Sequence, residues 1–227
     1  MQPIKQIIQD QFALLTFKEF KPKLSEFGSY YLLFGLFTAW LAGVGRYWDN
    51  PKAELWQHLG LGSVAYCFFL SALLYFLLLP LRPKNWTYRT VLIFVSMTSL
   101  PAVLYAIPVE RFLDIKSAQL ANVWFLAVVA IWRVILLLLF LLRSAKLGKV
   151  ELFIAAFLPI VMIVTVLSAL NLEHVVFNIM AGFSPEDVSG NDLAYQILVS
   201  ITFLSIFLLP FLFIGYIWFV IKAYKKN

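Results

Sequence analysis

One arginine lies inside a long apolar stretch of the sequence, and its charge makes it the strongest candidate for a functional residue. Arg133 falls in a predicted membrane span at 119–142, roughly 13–14 Å from the inner end at about 1.5 Å per helical residue. A charge at that depth costs about 2.5–3.5 kcal/mol on insertion scales. Because the interiors of the predicted spans contain no aspartate or glutamate, another kind of group must compensate this charge.

Three prolines fall at a similar depth in other predicted spans: Pro101, Pro159 and Pro210. A proline inside a helix leaves the carbonyl four residues earlier without its backbone donor. The carbonyls concerned are those of Met97, Ala155 and Ile206. A guanidinium has five N–H donors and suits such acceptors. One hypothesis is therefore that Arg133 staples kinked helices together through these carbonyls.

Two other hypotheses for Arg133 stay open. It binds an anionic ligand or lines an ion pathway, or it pairs with a carboxylate of another subunit. Hydroxyls near Pro101 are candidates for the same polar centre, although serine and threonine in spans more often serve helix packing. These hydroxyls belong to Ser96, Thr98 and Ser99.

A second group of candidate residues lies on the outer face, at the ends of the spans and in the loops that join them. Its members are Arg46, Asp49, His58, Glu110, Arg111, Asp114, Glu173 and His174. Histidines and carboxylates together can bind a metal ion, but no HxxxH or HExxH spacing is present. A network of interfacial salt bridges is favoured, and we predict no metal, no cofactor and no catalytic residue.

The composition indicates which solvent surrounds the chain. Of its 227 residues 62% are hydrophobic and 13% charged, against roughly 45–50% and about 25% in soluble domains. Runs of about 20 apolar residues are long enough to cross a bilayer. We predict an all-α polytopic bundle with spans at about 29–46, 55–80, 88–107, 119–142, 151–170 and 194–221. The net charge of +6 forms no basic stripe, so nucleic-acid binding is not expected.

Basic residues in the short loops predict the orientation, because cytoplasmic loops are enriched in lysine and arginine. One side holds 13 basic residues and the other side 4. The richer side includes both termini, which favours an even number of spans with both ends in the cytoplasm of a bacterial inner membrane. The 13 residues are Lys5, Lys18, Lys21, Lys23, Arg82, Lys84, Arg89, Arg143, Lys146, Lys149, Lys222, Lys225 and Lys226.

The N-terminal segment 1–27 is predicted to be separate from the membrane domain 28–227. Apolar residues recur there at helical spacing, at Ile4, Ile7, Ile8, Phe12 and Leu15. This pattern is typical of an amphipathic helix, which either lies in the membrane interface or packs on the bundle or a partner.

Caps and glycines refine the element boundaries. Asn50-Pro51 predicts a second helix that runs without interruption to Leu79, and Ser184-Pro185 predicts a short helix before the last span. Gly60 and Gly62 lie in that second helix, where glycine permits close helix approach.

Part of the chain resembles the Yip1 family of small polytopic membrane proteins. The resemblance covers about 91–170, roughly a third of the chain, and rests on four features. These are Ser99-Leu100-Pro101, the Trp124-Phe125-Leu126 start of a long span, the basic turn 143–149 and Pro159. The family resemblance implies a five-span layout and a membrane-organising or adaptor role, whereas six spans are predicted here.

These observations favour a non-catalytic integral membrane protein: an adaptor, an assembly factor or a subunit of a membrane complex. Expected partners are membrane lipids and another membrane protein or a second copy of the chain. One alternative is a transporter or lipid-handling protein with an anionic ligand near Arg133. A second alternative is a membrane enzyme that uses the outer histidines and acids.

Overall fold

The computed structural model describes residues 2–20, 22–49, 53–172 and 193–225. Within these ranges the chain forms helices and no strand. The α-helices, numbered here in chain order, are α1 (Gln2–Leu15), α2 (Leu24–Tyr47), α3 (Leu55–His58), α4 (Leu61–Leu78), α5 (Tyr88–Met97), α6 (Ile115–Arg143), α7 (Lys149–Ala169) and α8 (Leu193–Lys225). Short 3-10 segments cover Leu79–Leu81, Leu100–Ala106 and Val109–Arg111.

Six helical segments of the described chain are long and apolar enough to cross a membrane. They are Leu24–Tyr47, Leu61–Leu81, Tyr88–Ala106, Leu120–Arg143, Lys149–Ala169 and Gln196–Lys225. Many of their large apolar side chains are exposed, such as Phe203 and Ile214 on α8. Exposed apolar side chains in such number suit lipid and not water. The predicted polytopic helical bundle is confirmed, and the protein is an integral membrane protein.

The chain divides into two compact units, each described here by itself. Unit 1 comprises Met1–Pro108 and Ile131–Leu147, and unit 2 comprises Val109–Ala130 and Gly148–Asn227. Helix α6 therefore contributes its first part to unit 2 and its last part, with Arg133, to unit 1.

The second predicted span is not one continuous helix from residue 51 to Leu79. It breaks at Gly60, which has a φ of 65° and separates the short α3 from α4. The reason lies in α2, because a Cβ on Gly60 would lie 2.7 Å from the carbonyl oxygen of Trp40. Trp40 also donates from its Nε1 to the carbonyl of Leu59, 2.9 Å away. The predicted role of Gly60 in close helix approach is confirmed, while Asn50 and Pro51 lie outside the described residues.

The third span is interrupted next to Pro101. Helix α5 ends at Met97, and the chain continues through Thr98 and Ser99 into the 3-10 segment Leu100–Ala106. Pro101 stands near the start of that segment and is buried. Since proline has no N–H, it cannot donate to the carbonyl of Met97 as the next turn of a helix would.

Helix α1 packs against the rest of unit 1 along a stripe that differs from the predicted apolar face. Ile7, Gln11 and Leu14 are buried, whereas Ile4 and Phe12 are 59% and 65% exposed. Of the two predicted positions, packing on the bundle is therefore confirmed, although part of the apolar face points outwards. The stripe follows residues i, i+4 and i+7, which share one side of a helix.

Helices α7 and α8 pack against each other in unit 2. A Cβ on Gly215 would lie 2.7 Å from Cδ1 of Ile154, so the glycine permits close contact between the two helices. Pro159 and Pro210 lie inside α7 and α8, which continue through them. The short helix predicted at Ser184-Pro185 lies outside the described residues.

We predict that Gly60→Ala lowers the stability of the protein. A residue with a Cβ costs roughly 1–2 kcal/mol in the left-handed region, and here the added Cβ also meets the backbone of α2. The matched control is Gly148→Ala, where φ is negative and the nearest atom is the flexible carboxylate of Glu151 at 3.3 Å. Thermal unfolding in detergent, followed by tryptophan fluorescence, measures both. Equal melting temperatures for the two variants would contradict the role assigned to Gly60.

Candidate functional site

Arg133 lies in the last part of α6, ten residues before Arg143, which is about 15 Å along the helix. Its side chain is half-buried. The Nη2 group donates to Oγ of Ser99 over 3.3 Å. The guanidinium carbon lies 5.3 Å from the centroid of the Tyr66 ring, within the range of a cation–π contact. Arg133 is thus held by a hydroxyl and an aromatic ring, both neutral.

The carbonyl of Met97 has a partner other than the one expected from the sequence. The Nε2 group of Gln11 donates to it over 2.7 Å, and both residues are buried. The prediction that Arg133 satisfies this carbonyl is wrong, because α1 reaches the interrupted third span and supplies an amide donor there. The other two prolines, Pro159 and Pro210, belong to unit 2, whereas Arg133 belongs to unit 1.

The three hydroxyl residues before Pro101 have different roles. Ser96 and Thr98 donate to carbonyls of their own helix, those of Ile93 at 3.0 Å and Val95 at 2.9 Å. Ser96 also lies where α2 approaches, since a Cβ on Gly35 would be 2.4 Å from its Oγ. Ser96 and Thr98 are therefore packing residues, and only Ser99 of this group contacts Arg133 in the described part of the chain.

The hydroxyl of Ser99 connects Arg133 to the buried thiol of the protein. Its Oγ donates to the carbonyl of Val95 at 3.2 Å and lies 3.5 Å from Sγ of Cys67. A hydroxyl has one hydrogen and two acceptor lone pairs. With the hydrogen directed to Val95, both lone pairs can accept, one from the guanidinium and one from the thiol. Ser99 thereby fixes the position of Arg133 without neutralising its charge.

A second arginine of unit 1 also lies against tyrosine rings, although not against the ring that contacts Arg133. The guanidinium carbon of Arg46 is 4.6 Å from the ring centroid of Tyr105 and 5.8 Å from that of Tyr47. The hydroxyl of Tyr105 is within electrostatic range of both Arg46 and Arg133. We call Arg46, Tyr66, Ser99, Tyr105 and Arg133 the two-arginine cluster, and all five belong to unit 1.

The charge of the two-arginine cluster is not balanced by a described acid. The ionisable groups that act on Arg46 are the tyrosines Tyr47 and Tyr105. Within residues 2–20, 22–49, 53–172 and 193–225, neither Arg46 nor Arg133 forms an ion pair. Arginine stays protonated in proteins, so it cannot reduce the cost of burial by losing a proton. The arrangement is suited to binding an anion.

The other outer-face candidates do not join this cluster as one group. Asp49 and His58 belong to unit 1, whereas Arg111 and Asp114 belong to unit 2. The carboxylate of Asp114 accepts from the backbone N–H of Ser117 at 3.3 Å, at the start of α6. Glu173, His174 and the side chain of Glu110 lie outside the described residues. In the described part, no three His, Cys, Asp or Glu side chains are grouped as a metal site would require.

Several residues of the site were not found by sequence reasoning. Gln11, Tyr66 and Tyr105 were not singled out, and Arg46 was assigned to an outer salt-bridge network and not to the neighbourhood of Arg133. Gln11 lies four residues after Ile7 and three before Leu14, so it shares their side of the helix. This spacing, which places an amide on an otherwise apolar stripe, was the signal in the sequence. A polar residue in such a stripe needs a specific partner in lipid.

Comparison of the chain with protein-family models, curated proteins and solved structures finds no match. The Yip1 resemblance therefore stays a prediction.

We predict that Gln11→Leu destabilises the protein by about 1–2 kcal/mol, because it leaves the buried carbonyl of Met97 without a donor. In a Pro101→Ala background the same change should cost less, since residue 101 then has an N–H for that carbonyl. A double-mutant cycle on the free energy of unfolding measures the coupling. Gln9→Leu is the matched control, because Gln9 is exposed on the same helix. Additive effects of Gln11→Leu and Pro101→Ala would argue against the assigned hydrogen bond.

Proposed function

We propose that the protein binds an anionic ligand at the two-arginine cluster and acts as a transporter or lipid-handling protein of the membrane. The observation that carries this proposal is the pair Arg46 and Arg133, held by tyrosine rings and a serine hydroxyl without a described carboxylate partner. The proposal assigns no catalytic step to these residues.

The energetics of Arg133 support a ligand. A cation–π contact contributes roughly 0.5–2 kcal/mol, and a hydrogen bond to a charged group about 1.5–3 kcal/mol. The cost of an arginine near the centre of a span is about 2.5–3.5 kcal/mol on insertion scales and more in simulations. Together the two neutral contacts contribute about 2–5 kcal/mol, which is comparable with the cost on insertion scales and well below the roughly 10–17 kcal/mol of simulations. On the second scale the charge is compensated only in part, and a bound anion would supply the remaining compensation.

The chemical class of the ligand follows from the side chains that would bind it. A guanidinium binds carboxylate or phosphate oxygens through two parallel N–H groups. Arg46 is in the last turn of α2, near the end of a span, whereas Arg133 is deeper in α6. We therefore expect a carboxylate or phosphate group, which reaches the cluster either as the headgroup of an anionic lipid or as a small anion from the aqueous side.

We predict that Arg133→Gln weakens anion binding by at least about tenfold, the equivalent of 1.4 kcal/mol, because it removes the charge and the paired N–H groups. The full chain in nanodiscs is tested against two probes, phosphatidylglycerol in the bilayer and free citrate in the buffer. Ligand-induced thermal stabilisation and native mass spectrometry report binding. Arg89→Gln is the matched control, since Arg89 bonds to Ser29 over 2.9 Å and lies outside the cluster.

The two probes distinguish the sources of the anion. Loss of phosphatidylglycerol binding alone indicates lipid handling, and loss of citrate binding alone indicates a soluble cargo. If Arg133→Gln and Arg89→Gln bind both probes as the wild type does, the proposed function is wrong.

An adaptor or subunit role is the second candidate, and the exposed apolar residues of α1 favour it. Ile4, Ile8 and Phe12 are exposed on a helix that Gln11 fixes within unit 1, and the Yip1 resemblance implies the same kind of role. In this case the anion at Arg133 is a carboxylate of a second membrane protein. Arg133→Gln would then release a defined complex purified from native membranes, with no change in the binding of either probe.

For localisation we propose a bacterial inner membrane, with both termini and the loops around Lys84 and Lys146 in the cytoplasm. The distribution of basic residues supports this orientation.

Cysteine labelling tests the orientation, because Cys67 is the one cysteine of the chain and is buried. In a Cys67→Ser background, we expect a membrane-impermeant maleimide to label Glu54→Cys in intact spheroplasts. It should label Lys84→Cys and Lys225→Cys only after the membrane is opened. Labelling of Lys225→Cys from the outside would contradict the proposed even number of crossings.

A further inference from the structure

Hydrogen bonds between separate parts of the chain define two ends of unit 1. At one end the backbone N–H of Lys84 donates to the carbonyl of Ala145 over 3.0 Å. At the other end Nε1 of Trp48 donates to the carbonyl of Ala106 over 3.0 Å. We call the first the basic end and the second the distal end, and in the proposed orientation the basic end is cytoplasmic.

The two-arginine cluster lies between the middle of unit 1 and its distal end. Arg46 is in the last turn of α2, and Tyr66 is in the first half of α4, the half nearer to the distal end. Tyr105 is in the 3-10 segment that ends the third span. Ser99 and Arg133 lie near the middle of their spans. Seen from the distal end, these two residues are therefore the deepest part of the cluster.

Helix α1 lies on the other side of these two residues. The amide of Gln11 donates to the carbonyl of Met97 over 2.7 Å, and Met97 is two residues nearer to the basic end than Ser99. The carbonyl of Leu15 accepts from Nε1 of Trp132, the residue before Arg133, over 3.0 Å. The groups that hold α1 are thus direct neighbours in the chain of the groups that hold the cluster.

The residues after α1 continue to the basic end. The carbonyls of Phe17 and Lys18 both accept from Nη1 of Arg143 over 2.9 Å, and the ring of Phe17 lies 6.0 Å from that of Trp132. Trp132 is eleven residues before Arg143, which is about 16 Å along α6. The end of α1 and the residues after it therefore contact α6 at both ends of the stretch between Arg133 and the basic end.

The attachment of α1 depends more on hydrogen bonds than on apolar burial. In the described part of α1, Ile7 and Leu14 are the buried apolar side chains. The hydroxyl of Tyr31 donates to Asp10. The Oε1 atom of Gln11 is buried and has no donor among the described residues. Segments with few buried apolar contacts open at a lower free energy than the core of a protein, so α1 is suited to leave its position.

A released α1 would have a place to go. Ile4, Ile8 and Phe12 recur every four residues and are exposed while α1 is packed in unit 1. An apolar stripe of this kind, with polar residues beside it, suits a helix that lies in the membrane interface. Release would then transfer α1 from unit 1 to the membrane surface and not to water.

We propose that α1 is a movable plug that closes the two-arginine cluster towards the basic, cytoplasmic end of unit 1. With α1 in place, an anion reaches Arg133 from the distal end. Release of α1 opens the cluster to the cytoplasm. Carriers expose a site near the middle of the membrane to one side at a time, and a segment that covers one side of the site serves that purpose. The inference rests on the proposed function, since it describes the access of the anion to that same site.

The native cysteine reports access to the cluster. Cys67 is buried, is the one cysteine of the chain, and has its Sγ 3.5 Å from Oγ of Ser99. The probe is a negatively charged, membrane-impermeant thiosulfonate. It is applied to the full chain from outside in spheroplasts and from the cytoplasmic side in inverted membrane vesicles, and the mass shift of the purified protein gives the rate of labelling.

The double variant Tyr31→Phe/Trp132→Phe removes two hydrogen bonds of α1 and keeps an aromatic ring at each position. We expect it to raise the labelling rate of Cys67 from the cytoplasmic side at least about fivefold, the increase expected when two hydrogen bonds are lost. Labelling from outside should stay as in wild type. The matched control is Trp40→Phe, which removes an indole bond of 2.9 Å to the carbonyl of Leu59 and none to α1.

Hydrogen exchange of the same variants measures the release of α1 itself. The amides of α1 should exchange faster in the double variant and not in Trp40→Phe. Exchange in α4 reports whether the double variant is folded, and Trp132→Phe alone decides the question if it is not. The inference is overturned if α1 exchanges no faster, if it does so without faster labelling of Cys67, or if labelling also rises from outside.

This test does not depend on a bound anion. If Arg133→Gln leaves anion binding unchanged while the double variant opens Cys67 to the cytoplasmic side, the proposed ligand is wrong and the movement of α1 is retained. If Arg133→Gln weakens anion binding and the double variant has no effect, the binding site is retained and α1 is a fixed part of unit 1.

Discussion

The third membrane span cannot satisfy its own backbone hydrogen bonds, and much of unit 1 is arranged around that deficit. Pro101 leaves the carbonyl of Met97 without a helical donor, in a position where lipid provides no water to replace it. Gln11 supplies the missing N–H over 2.7 Å. An N-terminal segment that would otherwise lie on the membrane surface is thereby fixed within unit 1, with Ile7 and Leu14 buried on either side of the amide.

The position of α1 has consequences for the candidate site. The side chain of Asp10 accepts from the hydroxyl of Tyr31, and the Nε1 group of Trp132 donates to the carbonyl of Leu15 over 3.0 Å. Trp132 precedes Arg133 on α6, so neighbouring residues of one helix contact the end of α1 and the interrupted third span. The same interruption includes Ser99, which accepts from Arg133. The amide of Gln11 and the hydroxyl of Ser99 thus place α1 and Arg133 relative to one short irregular segment.

The elements that sequence reasoning predicted well are those that depend on local composition. A span needs only length and apolar residues, so all six were found, and the interruption at Pro101 follows from a missing N–H. The break at Gly60 was missed, because it depends on the backbone of α2 at Trp40, and the proline signal before it suggested continuity. The partner of Met97 was missed for a similar reason. Gln11 is 86 residues away in the chain, and no local pattern identifies which of several polar donors will meet a given carbonyl.

The groups that contact the charged guanidinium of Arg133 determine how well the site could bind an anion. A carboxylate on a neighbouring helix would neutralise the guanidinium, and an incoming anion would then have to compete with it. A lysine at this depth could lose its proton and with it the affinity for anions, whereas arginine keeps its charge. The ring of Tyr66 and the hydroxyl of Ser99 orient the guanidinium and leave its charge in place. On the proposed function, an anion at Arg133 would compensate this charge further, and the energy of burying the charge would become part of the affinity for the ligand.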